Sequence, residues 1–102
     1  MIKFPKTIKV GGRTVKIIYP YIFNDSDEYC GQADYQKGEI RISKYSRNGV
    51  ERSDEDTTLT FLHEIIHWIC NVYNGEKQFE EPQINGLTQG LYQVLKDSGL
   101  KF

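Results

Sequence analysis

Only two histidines occur in the chain, and they flank a glutamate in the run Phe61-Leu62-His63-Glu64-Ile65-Ile66-His67. On an α-helix, residues four apart lie one turn apart on the same face, so both imidazoles can meet a single metal ion. Zinc accepts neutral imidazole nitrogens at about 2.0–2.1 Å in a tetrahedral set. Glu64 lies beside that face, placed to reach a water molecule on the ion rather than the ion. Such a constellation is suited to metal-assisted hydrolysis, with Glu64 as the general base.

A catalytic zinc takes three protein ligands and keeps one position open. Glu80 and Glu81 are the candidates for the third. A connection of roughly half a dozen residues lets the following segment turn back across the histidine helix. Glu81 is preferred, because it precedes Pro82 and projects with Ile84 and Asn85 from the first turn of a second helix. Glu80 is the alternative, and Asn85 is weaker because a neutral amide binds zinc poorly. Cys70 lies seven residues beyond His63, about 10.5 Å along a straight helix, too far to share one ion. It reads as a small buried residue.

The elements that must position these groups follow from pattern. Ser53 is a suitable N-cap, and Asp54, Glu55 and Asp56 complement the dipole of a helix running to about Asn74, where Gly75 can supply the C-cap. At about 100° per residue, Thr60, His63, Glu64, His67 and Asn71 form a narrow polar stripe. Leu59, Leu62, Ile66, Ile69 and Tyr73 flank it on one side, and Phe61, Ile65, Trp68 and Val72 on the other. That pattern predicts a buried helix lining a polar groove, not a surface helix with a broad charged face. A second helix is expected from Pro82 to about Asp97, ending near Gly99, with Ile84, Leu87, Leu91, Val94 and Leu95 at helical spacing. Gly86 and Gly90 weaken it, and the expected gain is close approach to another backbone.

The first half reads as strands. Thr7–Val10 and Thr14–Tyr19 flank Gly11-Gly12-Arg13, and Tyr29–Tyr35 and Glu39–Ser43 flank Gln36-Lys37-Gly38, giving two hairpins. Ile40 and Ile42 alternate with Glu39, Arg41 and Ser43, one face apolar and one polar. Asn24–Glu28 is a polar loop. The expected fold is therefore α+β: a small antiparallel sheet packed on the histidine helix and a C-terminal helix. A length of 102 residues allows one domain, mainly strands over 1–52 and helical over 53–102.

Composition narrows the function classes. No run approaches the roughly 20 apolar residues of a membrane span, and the N-terminus lacks a charged-then-apolar signal pattern. The expectation is a cytoplasmic protein with free thiols at Cys30 and Cys70. A net charge of −1 argues against a general nucleic-acid binder. It is divided unevenly, with ten Lys/Arg against six Asp/Glu in residues 1–52 and three against eight in 53–102. Basic strand faces and acidic helix faces account for that division.

With these residues in place the chain resembles the small zinc metallopeptidases of bacteria and their phages, related to ImmA/IrrE-type and SprT-like proteins. The resemblance rests on His63-Glu64-Ile65-Ile66-His67 and on the ending Gly90-Leu91-Tyr92-Gln93-Val94-Leu95-Lys96-Asp97. Phe4-Pro5-Lys6-Thr7-Ile8-Lys9-Val10-Gly11-Gly12, Cys30-Gly31 and Ile40-Arg41-Ile42 are also similar. It implies a minimal gluzincin-like fold with zinc held by His63, His67 and Glu81, and Glu64 as base. Three places depart from the family pattern: Asn85 where a second acidic residue is common, Gly86-Leu87-Thr88 where alanines are common, and Pro82.

The resulting expectation is a zinc-dependent peptidase acting on a cytoplasmic protein such as a regulator. Tyr35, Tyr73 and Tyr92 are candidates to assist the oxyanion, and substrate could add as a strand along Glu39–Ser43. The alternatives are a zinc-stabilised interaction module that cleaves nothing and a SprT-like, DNA-associated protease.

Overall fold

The computed structural model describes residues 3–23, 30–46, 48–73 and 79–99. The expected loop Asn24–Glu28, the start of the third strand at Tyr29 and the cap at Asn74-Gly75 lie outside them. Four strands, β1 (Thr7–Val10), β2 (Arg13–Ile18), β3 (Gly31–Asp34) and β4 (Glu39–Ile42), precede two helices, α1 (Asp54–Tyr73) and α2 (Glu81–Ser98). The architecture is α+β.

Both hairpins form. Gly11 turns the first with φ +60°, and a side chain there would also strike Val72 of α1 at 2.7 Å. In the second, the Asp34 carboxylate accepts the Gln36 and Lys37 N–H groups at 3.1 and 3.0 Å, and Gly38 follows at φ +68°. The hairpins are joined through β2 and β4, which run parallel, with Ile17 beside Ile40. The strand order is β1-β2-β4-β3, so the sheet is mixed rather than wholly antiparallel.

That order corrects the expected substrate edge. Glu39–Ser43 is interior, hydrogen-bonded on both sides, and the edge on the site's side of the sheet is β3. The polar face of β4 is buried as well. Arg41 reaches Gln32 at 2.9 Å, Asp34 at 2.8 Å and Glu39 at 3.1 Å, and stacks over Tyr21. An alternating strand therefore occupies a central position because its one long cation has three acceptors on that face.

Helix α1 starts as its sequence dictates, with the Ser53 hydroxyl accepting the Asp56 N–H at 3.1 Å. Its two apolar sides meet different partners. Trp68, Phe61, Ile65 and Val72 pack on Val10, Val15, Ile17, Ile40 and Ile42 of the sheet. Trp68 is fully buried, its indole N–H donating to the Glu39 carbonyl at 3.2 Å. Ile66 and Cys70 instead pack on Ile84 of α2.

Helix α2 begins one residue earlier than expected. Glu80 is its N-cap, with the Gln83 side chain accepting the Glu80 N–H at 2.9 Å, and Gly99 ends it at φ +67°. Only Ile84 and Thr88 are buried, while Leu87, Leu91 and Val94 are exposed. The apolar spacing is thus used in part. The expected backbone approach at Gly86 and Gly90 is also absent: no atom of the described residues lies within 4 Å of where a side chain would begin. Both glycines sit on the side of α2 that faces away from α1. None of the described helices is long and apolar enough to cross a membrane.

Candidate metal centre

The polar stripe of α1 lies between β3 and the first turn of α2, and that placement assembles the site. His63 and His67 turn their Nε2 atoms toward each other at 3.2 Å. Glu81 closes the set from α2, with Oε2 3.2 Å from His63 Nε2 and Oε1 2.8 Å from His67 Nε2. Among the described residues this is the one group of three or more His, Cys, Asp or Glu side chains with ligand atoms that close together.

Glu80 stays outside the group, committed to the helix cap. The two neighbouring glutamates take different positions: Glu80 is the exposed N-cap, and Glu81, the first residue of the helix, reaches both histidines of α1. Asn85, one turn beyond Glu81, borders His63 and favours its charged form. Cys70 is buried among Ile66 and Ile84, and Cys30 is exposed, both as free thiols.

The donor set fits zinc. Ligands about 2.0–2.1 Å from a tetrahedral centre stand about 3.3–3.4 Å from one another, close to the 3.2 Å between the two imidazole nitrogens, and the Glu81 carboxylate faces both of them, one oxygen to each. Hydrogen bonds alone satisfy the arrangement poorly. If both imidazoles donate to Glu81, their two N–H groups face each other; if one does not, its lone pair faces the carboxylate. A cation among the three removes the conflict. Burial pushes the His63 pKa down, with His67 adding to that direction and Glu81 opposing it. The neutral imidazole that results is the form a metal binds.

Glu64 is 6% exposed and points at the edge strand. Its Oε2 lies 3.2 Å from where a side chain on Gly31 would start, and the Thr60 methyl is closer still. Any larger residue at position 31 would force β3 and α1 apart, so the glycine is what lets the carboxylate sit beneath the strand. Burial raises the Glu64 pKa to about 7, with the nearby Glu81 charge pushing in the same direction. A divalent cation on the triad would pull it back down.

A groove of about 310 Å³ runs from the triad along β3, lined by Gly31, Gln32, Ala33 and Tyr35. Of the three tyrosines considered, Tyr35 alone lines it. Its hydroxyl donates to the His67 carbonyl at 3.4 Å and its ring packs edge-on against Trp68. Burial, then Glu64, Cys70 and Glu81, push its pKa to about 12, so the phenol keeps its proton. Tyr73 is 65% exposed, and Tyr92 pairs with Lys96 far along α2.

Arg52 was not evident from pattern. Its guanidinium donates to the carbonyls of Cys30 at 3.3 Å, Ser43 at 3.0 Å and Asp56 at 3.1 Å, and to the Thr60 hydroxyl. One side chain thereby ties the entry to β3, the exit of β4 and the first turns of α1 together. A single arginine before a helix cap carries no periodic signal that would reveal this. Comparison with protein-family models, curated proteins and solved structures finds no match to the chain.

Proposed function

We propose that this chain is a zinc-dependent metallopeptidase of a minimal gluzincin-like kind, acting on a protein substrate in the cytoplasm of a bacterium or phage-infected cell. The observation that carries the reading is the convergence of His63, His67 and Glu81, with the buried carboxylate of Glu64 next along the helix. When bound, zinc supplies a Lewis acid that makes water nucleophilic near neutral pH and polarises a carbonyl.

The chain's own residues supply the rest. Glu64 takes the proton of the attacking water on a carboxylate oxygen and returns it to the leaving amine. Its burial beneath Gly31 keeps that carboxylate from being solvated away from the groove. Tyr35 keeps its proton beside the groove, and its hydroxyl would serve a developing oxyanion only by giving up its 3.4 Å hydrogen bond to the His67 carbonyl. Among the described residues β3 has no strand partner on its outer edge, which offers backbone groups to an extended peptide that strand addition would lay across the triad.

The test is Glu64→Gln in zinc-loaded protein. Retained stoichiometric zinc with loss of peptide cleavage supports the assignment, and full cleavage by this variant refutes the role of Glu64. A second reading, a zinc-stabilised interaction module, is favoured by the exposure of Leu87, Leu91 and Val94 on α2. Stoichiometric zinc in the unaltered chain, with no cleavage across a diverse peptide mixture, selects that reading.

A further inference from the structure

A second pocket opens from the triad toward α2. Its volume is about 360 Å³, and it shares Gly31, His63 and Glu64 with the groove along β3. A group held at the metal centre therefore borders both spaces. The further walls include Arg52, Asp56, Leu59, Asn85 and Gln89. Leu59 is the one large apolar side chain among them.

The charges on this wall oppose each other. Both Nη atoms of Arg52 are engaged with two acceptors apiece, one of them the Asp56 carbonyl, so the guanidinium is fixed in place. Asp56 also lines the pocket, and the Glu64 carboxylate stands at the shared boundary. An incoming charged side chain, of either sign, meets repulsion as well as attraction. An apolar side chain would displace water from Asp56, Asn85 and Gln89 without replacing its hydrogen bonds.

Asn85 and Gln89 are four apart on α2 and both exposed, so their amides stand on one side of the helix one turn apart. Each carries a donor and an acceptor, and because the Asn85 side chain is already hydrogen-bonded to His63, Gln89 offers the freer amide. A carboxamide entering between them can give and receive hydrogen bonds at once, which neither an aliphatic chain nor a single charge can do. We propose that this pocket is a specificity site for an uncharged hydrogen-bonding side chain, a carboxamide above all, on the peptide bound at the metal centre. The assignment rests on the metal-centre reading and adds a substrate class to it.

Its test is binding of hydroxamate chelators to the zinc-loaded protein, measured by calorimetry. Two series carry the side chain on opposite sides of the chelating group: N-acyl amino-acid hydroxamates and substituted succinyl hydroxamates. Acetohydroxamate, with no such side chain, reports on the metal centre alone. Glutamine and asparagine side chains are expected to bind about tenfold tighter than the similarly sized methionine and leucine ones in one series, well below the limit for an enclosed hydrogen-bonding site. The ratio should fall to near one in Gln89→Leu. Equal or tighter binding of the aliphatic members in both series overturns the proposal, as does a carboxamide preference that survives Gln89→Leu. Failure of acetohydroxamate itself to bind removes the metal-centre reading, and this proposal with it.

Discussion

Helices α1 and α2 differ little in length, 20 and 18 residues, and greatly in how they are held. Helix α1 is buried on two sides, by the sheet through Trp68 and by α2 through Ile66 and Cys70. Helix α2 has Ile84 and Thr88 buried near its start, and its later apolar residues Leu87, Leu91 and Val94 lie exposed. The triad draws two side chains from the firmly held helix and one from the loosely held one. A metal ion there would act as a fastener between unequal partners, and its binding energy would bear mainly on α2.

The comparison breaks most severely at Trp68. Truncation to alanine empties the contact between α1 and the sheet and removes the indole N–H that the Glu39 carbonyl accepts. A loss of about 3–5 kcal/mol is expected in denaturant unfolding. The matching change on α2, Leu91→Ala, removes a side chain that is 42% exposed and should cost far less, about 0.5 kcal/mol. Similar losses from the two substitutions would mean that α2 is held as firmly as α1.

Removal of the metal sharpens the same contrast. If zinc binds as proposed, free zinc at a hundredfold excess over its Kd would stabilise the folded form by about 2.7 kcal/mol. Chelation should lower Tm accordingly and raise amide hydrogen exchange along Glu81–Ser98, while the amides of Phe61–Val72 on α1 keep most of their protection. Uniform loss of protection across both helices would contradict the asymmetry.

Some of this division was legible from residue types and some was not. His63 and His67 meet because four residues make one turn, a local fact. The two apolar sides of α1 were equally plain, but only the side of Phe61, Ile65, Trp68 and Val72 is covered along its length; on the other Ile66 packs on Ile84 while Ile69 and Tyr73 stay exposed. Glu81 against Glu80 turned on the phase of α2, which depends on where its cap falls. Gln83 reaching back to Glu80 decides that, and a glutamate at the cap position is a weaker signal than serine or aspartate. The strand order was hidden, because the parallel contact of β2 with β4 joins residues more than twenty apart and leaves no trace in either hairpin. Arg41 contributed to the misreading: a charged residue on an alternating strand suggests a solvent face, and here three acceptors bury it.

The next largest effect lies where β3 meets α1. Gly31→Ala places a methyl against the Thr60 methyl and within 3.2 Å of the Glu64 carboxylate. Overpacking of this kind costs about 1–3 kcal/mol. It should also displace Glu64, so on the proposed peptidase reading peptide cleavage would fall more than zinc affinity. Adding Thr60→Ser removes the colliding methyl and keeps the hydroxyl that Arg52 holds, so the double variant should recover part of the lost stability. No recovery would mean that the collision with Thr60 is not the cause.

The smallest effect has the opposite sign. Gly86 and Gly90 lie inside α2 with no positive φ, and apart from their own helix no described residue comes within 4 Å of a side chain begun there, so each lowers helix stability without a packing return among the described residues. Alanine at either position should stabilise the chain by about 0.5–1 kcal/mol, chiefly by restricting the unfolded state. Because α2 is the loosely held helix, the gain should appear first as slower amide exchange within Glu81–Ser98 and only then in Tm. A loss of stability in place of a gain would mean that the glycine face of α2 is covered in solution. Dilution then separates the cases, since a contact between two copies weakens as the protein concentration falls and a contact within one chain does not.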